Sequence, residues 1–152
     1  MQVEKTKGCG VFHSGKLTIL QWPEQWGDTD ILKDITYLEI IPIALAIFLW
    51  GQEFRNKKIL FYSDNEAVVN ILQNKTSKSE RVMSILRPIV YWALHLNFQI
   101  NSMHLSSVDN KIADAISRGQ VDLFRRLVPE ADPLPTTIPV QFWDLLHPRQ
   151  ML

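Results

Sequence analysis

The stretch Lys58-Ile-Leu-Phe-Tyr-Ser-Asp64-Asn-Glu-Ala-Val-Val-Asn-Ile-Leu-Gln-Asn74 decides the fold. Its first part carries Ile59, Leu60, Phe61 and Tyr62 in a short, unbroken apolar run bounded by charges. A run of that length without alternation is the pattern of a central strand covered on both faces. Beyond Asp64-Asn65 the spacing changes. Ala67, Val68, Ile71 and Leu72 recur at intervals of three and four, which is helical. The period switches across Asp64, so Asp64 is expected at the carboxyl end of a strand, where α/β sheets place ligands. A plainer reading is that Asp64-Asn65 only caps the helix that follows.

Toward the C-terminus, Lys75 to Ser79 is a polar break. Glu80 to Leu96 is expected to be a longer helix with Val82, Ile85, Leu86, Ile89, Val90 and Ala93 on one face, kinked at Pro88. Phe98 to Leu105 alternates apolar and polar residues and reads as a strand. Asp109 suits the N-cap of a helix through Ser117. Toward the N-terminus, Gly8 to His13 and Leu17 to Trp22 read as a hairpin turned by Ser14-Gly15 and closed by Pro23. Glu24 to Lys33 reads as a loop. A helix from about Leu38 to Trp50 is apolar nearly all round and must be buried, with Pro42 tolerated near its first turn and Gly51 at its end. The order strand, strand, helix, strand, helix, helix, strand, helix predicts a mixed α/β layer fold over 1–118. In 119–152, Pro129, Pro133, Pro135, Pro139 and Pro148 predict an extended tail or linker, with Phe124, Phe142 and Trp143 as its docking residues.

With 152 residues, 46% of them hydrophobic, the chain can bury one proper core. Sixteen basic and sixteen acidic side chains cancel, which argues against a simple basic nucleic-acid wrapper but leaves room for a local basic groove. A single cysteine, Cys9, excludes an internal disulfide and favours a reducing, intracellular setting, cytoplasm or nucleus. The longest apolar run, Ile40 to Trp50, is too short to span a bilayer, so no membrane partner is expected.

Three acids stand where a site would need them. Asp64 ends a strand, Glu39 is the sole acid of an apolar helix, and Asp114 sits between the small residues Ala113 and Ala115. Carboxylates converging at one sheet edge are what a hard cation such as Mg²⁺ requires. Each has a bland counterpart. Thr36 and Glu39 fit a capping box; Asp114 alone would more often be a solvated acid. His104 reads more readily as a structural or surface histidine than as a base. Lys75, Lys78, Arg81 and Arg87 line a phosphate-binding face on one reading and merely solvate a loop and helix end on the other.

The segments Asp34-Ile-Thr-Tyr-Leu-Glu39-Ile-Ile-Pro42, Phe61-Tyr-Ser-Asp64-Asn65-Glu-Ala-Val-Val-Asn70 and Met103-His104-Leu-Ser-Ser-Val-Asp-Asn110-Lys-Ile-Ala113-Asp114-Ala-Ile-Ser117-Arg118 occur in this order. Together they resemble the ribonuclease H-like domain of retroelement reverse transcriptases. Thr76-Ser77-Lys78, Leu86-Arg87-Pro88 and the tail segment Pro129-Glu-Ala-Asp-Pro-Leu-Pro135-Thr are similar to the version found in DIRS-like, tyrosine-recombinase retroelements. The resemblance implies a mixed sheet with an antiparallel hairpin at one edge and helices on both faces. It also implies endonucleolytic cleavage of the RNA strand of an RNA–DNA hybrid by two Mg²⁺ ions. Carried over, Glu39 and Asp64 would hold the ion on the leaving-group side, and Asp114 the ion that activates water. Asn65, Lys75, Lys78, Arg81, His104 and Asn110 would meet nucleic acid. Polyprotein partners would be a reverse transcriptase upstream and a recombinase downstream.

One departure stands out. The family's first Asp, a ligand shared by both ions, falls at about Gln2, and no Asp precedes Asp28. Glu4 is offset from a strand end. The strand that would carry the missing Asp, central in the family, lies before Met1, which would leave core backbone groups unpaired. The chain is therefore expected to be an N-terminally truncated domain with little or no nuclease activity. Rival expectations are a non-catalytic module on the same fold that binds nucleic acid or protein, and a gene fragment that does not fold.

Overall fold

The computed structural model describes residues 8–106, 111, 112, 115, 118 and 120–146. In chain order its elements are β1 (Gly8–His13), β2 (Lys16–Gln21), α1 (Ile35–Trp50), β3 (Lys58–Ser63), α2 (Glu66–Asn74), α3 (Glu80–Leu96), β4 (Gln99–His104), α4 (Val121–Leu127) and α5 (Val140–Leu146). Short 3₁₀ turns at Glu24–Trp26, Asp30–Lys33 and Gly51–Phe54 complete it. The class is mixed α/β, as expected. The sheet is split: among the described residues β1 pairs antiparallel with β2, and β3 pairs parallel with β4.

The β1–β2 hairpin turns at Ser14 (φ 47°) and Gly15 (φ 81°), both left-handed, the geometry whose twist matches the flanking strands. Its two faces go to different cores. Cys9 and Leu20 face the main core, against which Val11 also packs, whereas Leu17, Phe12 and Ile19 join Phe124, Val128, Ala115, Ala131 and Ile112 on the other side. Gly8 is small for a reason: a Cβ there would lie 1.9 Å from the Leu20 carbonyl oxygen.

Helix α1 is the centre of the molecule. It packs against β1, α2 and α3, which is why it can be apolar on nearly every side. It starts three residues earlier than the sequence suggested, because Asp34 and not a Thr36–Glu39 box forms the cap: Asp34 Oδ1 accepts from the Tyr37 N–H at 3.1 Å. Pro42 therefore lies inside the helix, a correction to its placement near the first turn. With the 3₁₀ turn, Ile35–Phe54 forms one apolar helical stretch of 20 residues, long enough by composition to cross a membrane. Most of it is buried within the fold, the condition of a core helix.

Strand β3 differs from the central strand expected. Ile59 and Phe61 pack on the core, but Leu60 and Tyr62 are exposed at 42% and 51%, beside Met103 at 53%. No described element covers that face. Behind the strands, Ser102 Oγ donates to the Val69 carbonyl at 2.7 Å and ties α2 to β4.

Residues 119–152 were expected as an extended tail or linker docked through Phe124, Phe142 and Trp143, and 120–146 of them are described. They form α4 and α5 and bury Phe124 and Phe142, two of the expected docking residues. Phe142 meets Phe48 of α1 edge-on at 5.6 Å. Between the two helices the chain runs along the outer edge of β2: Asp132 N–H donates to the Gly15 carbonyl and Thr136 N–H to that of Leu17. Arg125 fixes this strap, donating to the carbonyls of Asp132 and Pro133 at 2.5 and 2.7 Å.

Candidate functional site

Parallel pairing of β3 with β4 sets Ser63 opposite His104 at the carboxyl ends of both strands. Asp64 follows there. The chain must then turn into α2, and Asn65 makes that turn. Its Oδ1 accepts from the N–H groups of Ala67 (2.9 Å) and Val68 (3.4 Å), while Ser63 Oγ accepts from the Asn65 N–H. Asn65, and not Asp64, is therefore the N-cap of α2.

Glu39 comes to the same place from α1. Its side chain is 8% exposed, in a groove wall shared with Cys9, Gly10 and Ser63. Burial pushes its pKa up from 4.5 to about 7, the negative charge of Asp64 pushes in the same direction, and the N-terminal charge opposes them. The Cys9 thiol is driven upward in turn, first by burial and then by the Glu39 charge. Burial and the Asp64 charge both disfavour the ionised form of Glu39, the N-terminal charge partly offsets them, and a cation nearby would favour it further. Sequence reading expected Glu39 and Asp64 at one site, and in the fold the Asp64 charge acts on Glu39.

The other expected site residues are distributed differently. Asp114 and Asn110 lie outside the described residues, as does the Asp109 cap. Among the described residues no three His, Cys, Asp or Glu side chains form a group able to hold a metal. The ring of His104 is exposed, with Nε2 3.2 Å from the Asp64 backbone carbonyl, so it braces the loop that carries Asp64. Lys75 closes α2 in the left-handed conformation. Nine helical residues separate it from Asn65, about 14 Å at the usual rise, so Lys75 and Lys78 stand at the end of α2 away from Asp64. Arg81 is engaged elsewhere. Its guanidinium donates to Asp34 at 3.2 Å and Asp30 at 3.0 Å, clamping α3 to the start of α1. No local pattern signals that pairing, because 51 residues separate Arg81 from Asp30.

The groove beside Glu39 is the feature sequence reading did not describe. It encloses about 330 Å³ between β1 and β3, floored by Glu39, Pro42, Ile43 and Ala46 of α1. No family model and no curated protein matches the chain.

Proposed function

We propose that this chain is a ribonuclease H-like domain of retroelement origin that engages RNA–DNA hybrids through a divalent-cation site at Glu39 and Asp64, with hydrolysis impaired. One observation carries the reading: Asp64, at the carboxyl end of a parallel strand pair, lies close enough for its charge to act on Glu39, a buried acid of a separate element 25 residues away in sequence. A buried acid beside a second carboxylate is costly, and an oxygen-seeking cation such as Mg²⁺ is the partner this donor set fits. Glu39 and Asp64 would hold it, and Asp114 is the third ligand proposed. The chemistry a bound Mg²⁺ supplies is charge stabilisation on a phosphodiester. The chain's own contribution is to fix Asp64 through the Asn65 cap and the His104 brace and to keep water from Glu39.

The test is fluorescence anisotropy with a labelled RNA–DNA hybrid and the matching DNA duplex, each with and without Mg²⁺. Hybrid is expected to bind more tightly than duplex, with Mg²⁺ strengthening binding to the native chain but not to Asp64→Asn. Cleavage should be weak or undetectable. Equal affinity for both duplexes, indifferent to Mg²⁺, would sink the proposal. Hybrid binding independent of Mg²⁺ and without cleavage would move the assignment to a non-catalytic module.

A further inference from the structure

The amino end of β3 is a basic turn in which Arg55, Lys57 and Lys58 are all exposed. Its backbone is pinned. Asn56 is left-handed (φ 63°), its N–H donates to the Asn97 carbonyl at 2.9 Å, and its Oδ1 accepts from Asn97 Nδ2 at 2.8 Å. The Lys57 N–H donates to the Phe54 carbonyl at 3.0 Å, and the Lys57 carbonyl accepts from Gln99 at 2.9 Å. A backbone fixed this way keeps three like charges together, and their field draws in an anion. The neighbouring acid Glu53 is ion-paired with Lys16, and its charge also reaches Lys57. The Arg55 guanidinium donates to the neutral Gln52 Oε1 at 3.1 Å. Lys57 and Lys58 make no ion pair among the described residues. The end of α3 does not use these cations either: its last carbonyls, those of Ala93 and Leu94, are taken by the N–H groups of Phe98 and Asn97.

Asn97 ends α3, so the basic turn abuts that helix. Arg87, Tyr91 and His95, spaced by four, share one face of α3, and all three are exposed, Tyr91 by 62%. The Tyr91 and His95 rings lie nearly parallel, 8° apart in plane with centroids at 5.8 Å. A flat aromatic pair thus follows Arg87, and Asn97 with its turn comes about 9 Å beyond Tyr91 along the helix axis. No Asp or Glu occurs between positions 81 and 106. Cations on either side of an exposed ring pair fit one ligand chemistry above others. The phosphates of a nucleic-acid backbone meet the cations, and unpaired bases stack on the rings. A duplex keeps its bases stacked inside, and an acidic peptide leaves the rings idle.

We infer that the basic turn at 55–58 and the Arg87, Tyr91 and His95 face of α3 form a binding site for single-stranded nucleic acid. The site does not rest on the nuclease reading. Lys58 stands at the opposite end of β3 from Asp64, six residues or about 20 Å away, and the site needs no divalent cation.

The test is fluorescence anisotropy on the 152-residue chain in EDTA, with labelled oligothymidylate of about 12 nucleotides and a DNA duplex of the same length. With metal chelated, the result does not depend on Glu39 and Asp64 holding a cation. The single strand should bind more tightly than the duplex. Four cations at the site predict that log K falls with log salt at a slope of about −3. Replacing both lysines, Lys57→Gln with Lys58→Gln, should flatten that slope by about 1.4. Tyr91→Ala should weaken single-strand binding about fivefold or more without changing the slope, and Tyr91→Phe should retain it. All three side chains are exposed, so the variants should keep the native circular dichroism spectrum. Equal affinity for the duplex, a slope indifferent to the lysine pair, or binding indifferent to Tyr91→Ala would overturn the inference. So would competition by polyglutamate as strong as that by unlabelled oligothymidylate, since the surface would then be a dock for acidic protein.

Discussion

Replacing Glu39 by Gln should stabilise the fold at alkaline pH and leave it nearly unchanged at acid pH. The carboxyl titrates near 4.5 when exposed and at about 7 in the fold, because burial and the Asp64 charge disfavour its ionised form. Between those values the folded chain holds a proton that the unfolded chain has released, so stability falls as pH rises through that window. Below pH 4.5 both states are protonated and nothing is lost. Above about 7 both are ionised and the full cost applies. A shift of about 2.5 units at about 1.36 kcal/mol each amounts to roughly 3 kcal/mol. Glu39→Gln removes that cost while keeping shape and a polar head. Urea unfolding of both chains at about pH 5 and about pH 8, in EDTA, measures it. The mutant's advantage should grow from about 0.8 kcal/mol at the lower pH toward about 3 kcal/mol at the higher. His13, whose pKa burial lowers, titrates in both chains and cancels in the difference. An advantage that stays constant between the two pH values would refute the placement of a strained acid at Glu39.

Asn65→Ala removes the side chain that caps α2 and should cost about 1 kcal/mol in a thermal or urea melt. Asn65→Asp should restore most of that loss, since aspartate caps equally well. Phe142→Ala opens a hole beside Phe48 and should cost about 3–5 kcal/mol, whereas a side chain on a loose tail would cost almost nothing. Gly8→Ala forces a methyl against the Leu20 carbonyl, so the hairpin must open there; proton chemical shifts of Cys9 and Leu20 should move, and unchanged shifts would contradict the register.

Elements built on a clear period were legible. The change of spacing across Asp64 marked β3 and α2, and α3 runs from Glu80 to Leu96 as its apolar stripe implied. The start of α1 was misplaced because Pro42 invited a late beginning, while the Asp34 cap that decides it is a single side-chain hydrogen bond. The last two helices were hidden by the prolines between them: seven residues give too few turns for a period to show, and what holds α5 is the burial of Phe142 and Leu146 in a core built by distant segments. At the site, position on a strand end pointed to Asp64. Nothing local pointed to its pairing with Glu39; that came through resemblance. The tie between Arg81 and the residues before α1 is purely tertiary.

The strap along β2 has a consequence for association. The N–H groups of Asp132 and Thr136 are donated to β2, and Pro133 and Pro135 between them have no N–H to offer. Neither can donate to a further chain, and the Pro133 carbonyl is already held by Arg125. The molecule thus carries a sealed margin on that flank, built from residues that cannot template a neighbour. Chain-to-chain stacking has no foothold there, so the flank of β2 cannot extend the β-structure.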